Sequence, residues 1–239
     1  MERNIQIKIL SIIALVLAIT GMSLGFAAFS STLNISSSAT VTPNSDDFKI
    51  DFLGIDSNGE FTSSNSIYPI TGTGATGSIA TIVNGKSATI SNMKASFTEP
   101  GQYVEYQYRT YNSGLYDAYF RSWQFRLLSG MSNVIECVPS ANSDVSEELL
   151  NKACEDIDVR YHIFSSYGNT FMDGYARYNF DYVGTSVVDL GGHYTAAPGD
   201  YFTVRVVIEY AADGERADGD FEVKIADLLS EYGTAPLSE

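Results

Sequence analysis

The strongest constraint on the fold is a strict alternation of apolar and polar residues that recurs along the chain. The clearest example is Tyr201–Tyr210, YFTVRVVIEY. Side chains of a β-strand point alternately to its two faces, so this period predicts a strand with one buried face. The expected inward set in this strand is Phe202, Val204, Val206, Ile208 and Tyr210.

Five further segments have the same period, and Gly, Asn and Pro turns separate them. The chain is also rich in the aromatic residues that favour strands, with 16 Tyr and 13 Phe. Half-buried strands between such turns predict an all-β fold, a jelly-roll-like antiparallel β-sandwich. The expected inward residues are Phe48, Ile50 and Phe52; Val104, Tyr106, Tyr108 and Thr110; Trp123, Phe125 and Leu127; Val159, Tyr161 and Ile163; Phe221, Val223 and Ile225.

Three segments depart from the strand pattern. Residues 143–153, SDVSEELLNKA, combine an N-cap residue with acids in a first helical turn, which predicts a short helix. Residues 226–232, ADLLSEY, give a weaker helical pattern. Residues 54–77 are rich in Gly, Ser and Thr and predict a long loop or a weak hairpin.

The first 29 residues carry the pattern of a secretory signal. A basic lead with Arg3 and Lys8 precedes an apolar stretch over residues 9–29, which ends in small residues. The spacing of the small residues permits cleavage before Ala28 or before Phe29. The alternative is an uncleaved anchor, because the stretch is about long enough to span a bilayer at roughly 20 residues; its Gly, Ser and Thr content favours cleavage.

This interpretation divides the chain into three parts. Residues 1–28 are a signal peptide that forms a helix before cleavage, residues 29–43 an extended N-terminal segment, and residues 44–239 a single β-sandwich domain. The net charge is -15. Phosphate-rich partners need clustered cations, so we expect no nucleic-acid partner and no membrane contact except through an uncleaved signal segment.

Two cysteines, Cys137 and Cys154, are the only ones in the chain. In an exported protein an even number suggests a disulfide, and two free or buried thiols are the alternative. A metal site at this pair is not indicated, because no His or third Cys lies at ligand spacing.

The chemistry-bearing residues predict no enzyme. His162 lies in a predicted strand and His193 in a predicted loop, and neither belongs to an H-E-x-x-H pair. A G-x-S-x-G elbow, a P-loop and a dinucleotide fingerprint are also absent. The acidic run over residues 213–220, DGERADGD, does not match the spacing of a calcium loop and is interpreted as a hairpin turn. We therefore expect no catalytic, cofactor or metal site.

Two long segments share a local motif. Pro100-Gly101 and Pro198-Gly199 each form a turn signal in which Gly is free to adopt a positive φ. Each turn leads into a long alternating strand that closes at a polar turn, at Asn112-Ser113-Gly114 in one case and Asp213-Gly214 in the other.

The leader, the Ser/Thr-rich segment after it and the first Pro-Gly strand together resemble the TasA/camelysin family. An Ala-Ala-Phe junction marks the start of the mature chain in that family and is matched by Ala27, Ala28 and Phe29. The Pro-Gly strand that ends in Asn-x-Gly is matched by Pro100-Gly101 and by Asn112-Ser113-Gly114. The resemblance implies secretion after cleavage by a SipW-type signal peptidase, and a place in the biofilm matrix or at the cell surface.

The same resemblance implies assembly into fibres by donor-strand insertion. The donor would be the N-terminal segment with its apolar residues Phe29, Leu33, Ile35 and Val41, and the main partner would be the next copy of the chain. Other matrix proteins and polysaccharide are further candidate partners. Two alternatives stay open: a monomeric surface or spore-coat-associated sandwich, and a carbohydrate-binding adhesin that uses Tyr103, Tyr111, Tyr119 and Trp123.

Overall fold

Strands dominate the part of the chain that the structure describes. The computed structural model describes residues 48–72, 74–83, 87–126, 133–141, 143–166, 170–177, 185–186 and 195–234. The predicted signal helix and the segment 29–43 lie outside these residues. The strands are, in chain order, β1 (Ile50–Ile55), β2 (Phe61–Thr62), β3 (Ser66–Ile67), β4 (Ile70–Thr71), β5 (Thr76–Gly77), β6 (Ala80–Val83), β7 (Ser87–Ser91), β8 (Lys94–Phe97), β9 (Tyr103–Asn112), β10 (Ala118–Arg126), β11 (Ile135–Pro139), β12 (Ile157–Ser165), β13 (Thr170–Arg177), β14 (Thr185–Ser186), β15 (Thr195–Ala196), β16 (Tyr201–Tyr210), β17 (Phe221–Ile225) and β18 (Asp227–Gly233). Helix α1 (Glu147–Glu155) joins β11 to β12.

The first layer of the fold is one antiparallel sheet, which we call sheet A. Its order is β13-β12-β16-β9-β1-β2, and β4 also pairs with β9 beside β1. The two longest strands, β9 and β16, lie side by side at its centre, with Tyr108 opposite Val204. Because both strands alternate strictly, their apolar side chains share one face of the sheet.

The second layer consists of two sheets in which consecutive strands of the chain hold matching places: β10 and β11, β18 and β17, β7 and β8, and β6 and β5. Sheet B has the order β14-β10-β18-β7-β6-β3, with β15 also pairing β10, and sheet C has the order β11-β17-β8-β5. Strand β7 continues into β8 and β17 into β18 after one or two residues. Hydrogen bonds from Ile225 N to Met93 O (3.1 Å) and from Ala226 N to Val134 O (2.9 Å) run across the break. Sheets B and C are therefore one layer with a bend.

The core lies between sheet A and this bent layer. The rings of Trp123 and Tyr161 lie 3.8 Å apart, centroid to centroid, across the layers, and those of Tyr210 and Phe221 lie 5.4 Å apart. The predicted inward residues of the strands around β9, β12, β16 and β17 are buried. The antiparallel β-sandwich is thus confirmed; Leu127 falls outside the described residues.

The Pro-Gly turns have the predicted geometry, with φ of 85° at Gly101 and 89° at Gly199. Both glycines place the chain at the start of a central strand of sheet A. The Gly/Ser/Thr-rich stretch over residues 54–77 contains only short elements, and β1 and β2 form a hairpin of two residue pairs. These short strands agree with the loop or weak hairpin that the sequence predicts for this stretch.

Two sequence expectations are wrong. Residues 226–232 are not helical, because they lie almost wholly in β18, where Leu228, Ser230 and Tyr232 point inward and are buried. Pairing with β10 and β7 decides this conformation, and the sequence of so short a segment does not reveal these pairings. The run 213–220 is not a hairpin turn, because it connects β16 in sheet A to β17 in sheet C and so crosses between the layers.

Candidate functional site

The predicted functional residues of the N-terminal region lie outside the described residues. These are the cleavage-site residues Ala27, Ala28 and Phe29 and the donor-strand residues Phe29, Leu33, Ile35 and Val41. The described chain begins at Phe48. The described part of the site is therefore the sandwich, beginning where the chain enters it.

The chain enters the sandwich beside the turn that follows β9. The backbone N–H groups of Ser113 and Gly114 donate to the carbonyl oxygen of Lys49, at 3.0 and 3.1 Å. Strand β1 then runs antiparallel to β9, with Ile50 opposite Asn112. The turn and the entering chain are thus parts of one hydrogen-bonded end of the molecule.

The buried side chain of Asn112 holds this turn in place. Its Nδ2 group donates to the carbonyl oxygens of Tyr116 (2.8 Å) and Ala196 (2.7 Å), and its Oδ1 accepts from Gly114 N–H at 3.1 Å. The carboxamide therefore uses both its donor and its acceptor groups within the protein. Sequence reasoning identified this residue only as part of a polar turn. Its full burial depends on β15, which lies far away in the chain.

Residues 113–117, which we call the entry tip, carry two apolar side chains into solvent. Leu115 is 72% exposed and Tyr116 is 55% exposed. Large apolar residues are the exception on a turn that is otherwise polar. The tip is therefore an ordered turn that presents an apolar surface beside the point of chain entry.

One side of the sandwich, which we call the open side, ends in very short strands in both layers. Strands β2, β3 and β5, the outermost of sheets A, B and C on this side, have two residues each. Among the described residues, β2 pairs with only Gly54 and Ile55 of β1, so the outer edge of residues 50–53 carries no strand. Open edges of this kind are sites for addition of a further strand.

A groove of about 670 Å³ lies on the open side, and its two walls come from different layers. Residues 56–59 and 68–71 line it from the side of sheet A, and residues 75–77 with Ile79 line it from the side of sheet C. At its base Gly77 packs closely, because a Cβ there would lie 2.8 Å from both Pro69 and Val104. The groove is therefore a cleft between the layers.

A second cleft, of about 360 Å³, is strongly acidic. It is lined by five carboxylates and Arg160. Arg160 lies 3.4 Å from Asp158 and 3.3 Å from Glu209, and Asp156 accepts a hydrogen bond from Glu215 N–H at 2.7 Å. No group of three or more His, Cys, Asp or Glu in the described residues is placed to hold a metal ion. The internal ion pairs indicate a structural role.

The predicted disulfide is confirmed between Cys137 and Cys154, with Cα atoms 6.1 Å apart. It ties α1 to β11, the edge strand of sheet C. The helix begins after Ser146, whose hydroxyl accepts from Leu149 N–H, so it starts later than residue 143. Glu147 and Glu148 occupy its first turn, as the sequence predicts.

Buried tyrosine hydroxyls join the two layers. The Tyr108 and Ser230 hydroxyls lie 2.9 Å apart, and Tyr232 donates to Thr110 Oγ1 at 2.8 Å. Tyr106 Oη accepts from Lys94 N–H at 3.1 Å. Removal from water disfavours the phenolate, so burial raises the pKa of Tyr106 to about 12 and also raises the pKa values of Tyr108 and Tyr232.

One carboxylate on the outer face of sheet A is buried, although the alternation along β9 places it on the polar side of the strand. Glu105 is buried; it accepts a hydrogen bond from Gln107 and forms an ion pair with Arg205 of the neighbouring strand. Nearby, the guanidinium group of Arg109 stacks between the rings of Phe61 and Tyr201, at 3.9 and 4.3 Å. These contacts join β2, β9 and β16 on the outer face of sheet A.

The four residues proposed for carbohydrate binding do not come together. Trp123 is fully buried against Tyr161, so its ring is not available for stacking on a sugar. Tyr103 and Tyr111 lie at opposite ends of β9 in sheet A, and Tyr119 lies in sheet B. His162 lies in β12 beside Phe164, with ring centroids 6.1 Å apart, and His193 falls outside the described residues.

Comparison with solved structures gives similarities of low identity. No family model matches the chain, and no curated protein matches it. Carbohydrate-binding modules of the β-sandwich superfamily are similar at 9% identity with a TM-score of 0.28, over 78% of this chain and 74% of theirs. The enzymatically active domain of tailspike protein 4 of bacteriophage CBA120 is similar at 8% identity and TM-score 0.23, over 80% of this chain and 20% of its own.

An arabinose-bound α-L-arabinofuranosidase is similar at 10% identity and TM-score 0.21, over 68% of this chain and 23% of its own. This chain thus spans less than a quarter of the length of that enzyme and of the tailspike protein. Within the described residues no helix has the length and apolar character needed to cross a bilayer.

Proposed function

We propose that this protein is a secreted structural subunit of extracellular matrix fibres. Residues 29–43 of one copy insert as a donor strand into the open side of the next copy. The observation that carries the proposal is the pair of short sheet edges on one side of the sandwich, with a groove between the layers. Added strands gain main-chain hydrogen bonds at such an edge and specificity from side-chain pockets.

The position of chain entry limits how far from it the acceptor edge of the neighbouring copy can lie. Six residues separate Val41 from Phe48, and an extended chain spans at most about 3.5 Å per residue, so this linker reaches roughly 20 Å. The acceptor edge must lie within that distance of the entry tip. A donor that leaves at one end of its own sandwich therefore pulls the neighbouring copy against that end.

The segment has the apolar content that docking needs. Burial of four side chains of the size of Phe29, Leu33, Ile35 and Val41 yields roughly 6–12 kcal/mol before the ordering entropy of the segment is subtracted. Ser and Thr fill most other positions, so the free segment is soluble. The disulfide agrees with an exported protein, because disulfides persist in oxidising compartments.

A double substitution in the segment tests the proposal. Leu33→Asp with Ile35→Asp places charges at two positions that the donor strand buries. The matched control, Asn34→Asp with Ser36→Asp, adds the same charge on the opposite face of the strand. Electron microscopy of the secreted proteins should show fibres for the control and only dispersed, folded particles for the first variant.

Two results would decide against donor-strand assembly. Normal fibres from the Leu33→Asp/Ile35→Asp variant would exclude this segment as the donor. Loss of folded structure in that variant, measured by circular dichroism, would show that the segment is a strand of its own sandwich. The protein would then be a monomeric surface protein.

A further inference from the structure

Two groups of large exposed apolar side chains lie at different places on the described part of the molecule. One group is Leu115 and Tyr116 at the entry tip. The other is on the open side, where Ile70 and Ile79, which both line the groove, are 38% and 43% exposed. Scattered apolar residues are normal on a protein surface, but grouped ones mark interaction sites.

The tip is built to hold its apolar residues outward. The Asn112 side chain binds the carbonyl oxygen of Tyr116 and the N–H of Gly114, and the Lys49 carbonyl oxygen accepts from the N–H groups of Ser113 and Gly114. The turn is therefore ordered before it meets a partner, so little conformational entropy is lost on docking. A mobile loop would lose more conformational entropy on docking.

The open side offers a matching surface. Ile70 and Ile79 both line the groove, and Tyr68 and Pro69 line it with them. Tyr103, 38% exposed, continues this surface, because its ring packs where a Cβ on Gly72 would lie, at 2.7 Å. Protein–protein contacts usually have an apolar centre and a polar rim, and these side chains supply the apolar part.

We propose that Leu115 and Tyr116 of one copy dock on the rim formed by Ile70 and Ile79 of the next copy. This inference rests on the proposed function, because the donor segment leaves the sandwich beside the tip and brings the tip to the copy that accepts it. The two surfaces differ, so the contact is heterologous. Repetition of such a contact extends a chain of subunits instead of closing a dimer.

The pairing depends on apolar contact and not on charge. The Lys49 ammonium beside the tip is paired with Asp51 of the same copy at 3.4 Å, and Asp56 lines the groove. The backbone N–H groups of Glu60 and Asn58 lower the pKa of Asp56, so it stays ionised.

Photo-crosslinking of the full mature chain tests the contact directly. The probe is p-benzoylphenylalanine placed at position 116, in an equal mixture of 14N- and 15N-labelled protein. We expect crosslinks between light and heavy copies that map to residues 68–79. Crosslinks confined to one copy, or directed to another part of the neighbour, would overturn the inference even if fibres form.

Paired substitutions give a second measure. Leu115→Ser with Tyr116→Ser, and separately Ile79→Ser, should each raise the critical concentration for assembly about tenfold, while Asp117→Ser in the same turn should leave it within about twofold. Unchanged assembly in the first two variants would contradict the docking. If wild-type protein forms no fibres, the proposed function fails. The contact is then decided by crosslinking from position 116 in concentrated protein: a crosslink between copies to residues 68–79 supports it, and the absence of that crosslink overturns it.

Discussion

Asn112 shows, at the scale of single residues, how a buried polar group fixes a surface feature. Its carboxamide makes three hydrogen bonds to the backbone, and one of them reaches Ala196 in a distant strand. A buried amide with this many partners is costly to alter, because any unsatisfied or mismatched group keeps its full desolvation penalty.

We therefore predict that Asn112→Asp destabilises the fold strongly. The carboxylate would face the carbonyl oxygens of Tyr116 and Ala196, which now accept from Nδ2. The free energy of unfolding in urea should fall by about 3 kcal/mol or more. Asn151→Asp, at an exposed position of α1, is the control and should change it by less than about 0.5 kcal/mol. Equal effects in both variants would contradict this account.

The buried Tyr106 hydroxyl predicts an alkaline limit to stability. Its pKa is about 12 in the folded protein and near 10 in an unfolded chain, so the fold favours the neutral phenol. Its contribution is complete below pH 10 and is lost as the pH rises through about 12, which amounts to about 3 kcal/mol. Urea unfolding between pH 8 and 12 should show a smaller loss for Tyr106→Phe than for wild type, and identical losses would refute the assignment.

The elements of the fold were predictable where a strand is long and half-buried. The strand β16 and the inward faces of β9, β12 and β17 follow from alternation alone. Strand β18 does not, because Leu228 and Leu229 are adjacent and its pairing with β10 is non-local. The crossing of the acidic run before β17 between the layers was not predictable for the same reason. A sequence period defines the two faces of a strand but does not identify the strands that it pairs with.

The site was predictable to a smaller extent. The polar turn at Asn112 and the positive φ of Gly101 follow from local turn chemistry. The exposure of Leu115 and Tyr116 could not be predicted from the sequence, because short apolar pairs also occur in protein cores. Hydrogen bonds of the turn to Lys49 and Ala196 place the two side chains at the surface. The groove needs both layers at once, so no local pattern predicts it.

The disulfide belongs to the scale of elements, because it fastens α1 to the edge of sheet C. It closes a loop of 17 residues, which corresponds to about 3 kcal/mol in the chain-entropy description. The Cys137→Ala/Cys154→Ala variant should lose about that much unfolding free energy, and hydrogen exchange in residues 147–155 should accelerate. An unchanged exchange rate in residues 147–155 would mean that packing alone holds the helix in place.

At the scale of the whole molecule, the net charge of -15 opposes the association of copies. The proposed contacts are apolar and main-chain in nature, so they do not weaken when charges are screened. Raising the salt concentration from about 20 to 200 mM should therefore lower the critical concentration for assembly severalfold, because the Debye length falls to below about 10 Å. A rise with salt, measured by sedimentation, would indicate an interface held by ion pairs.

Fibre length in mixtures tests donor-strand assembly most directly. The Leu33→Asp/Ile35→Asp variant keeps an intact open side but lacks a working donor, so it can accept a neighbour's segment and cannot pass one on. Increasing its fraction in wild-type protein should shorten the fibres seen by electron microscopy progressively. Fibres of wild-type length at every fraction would contradict the account.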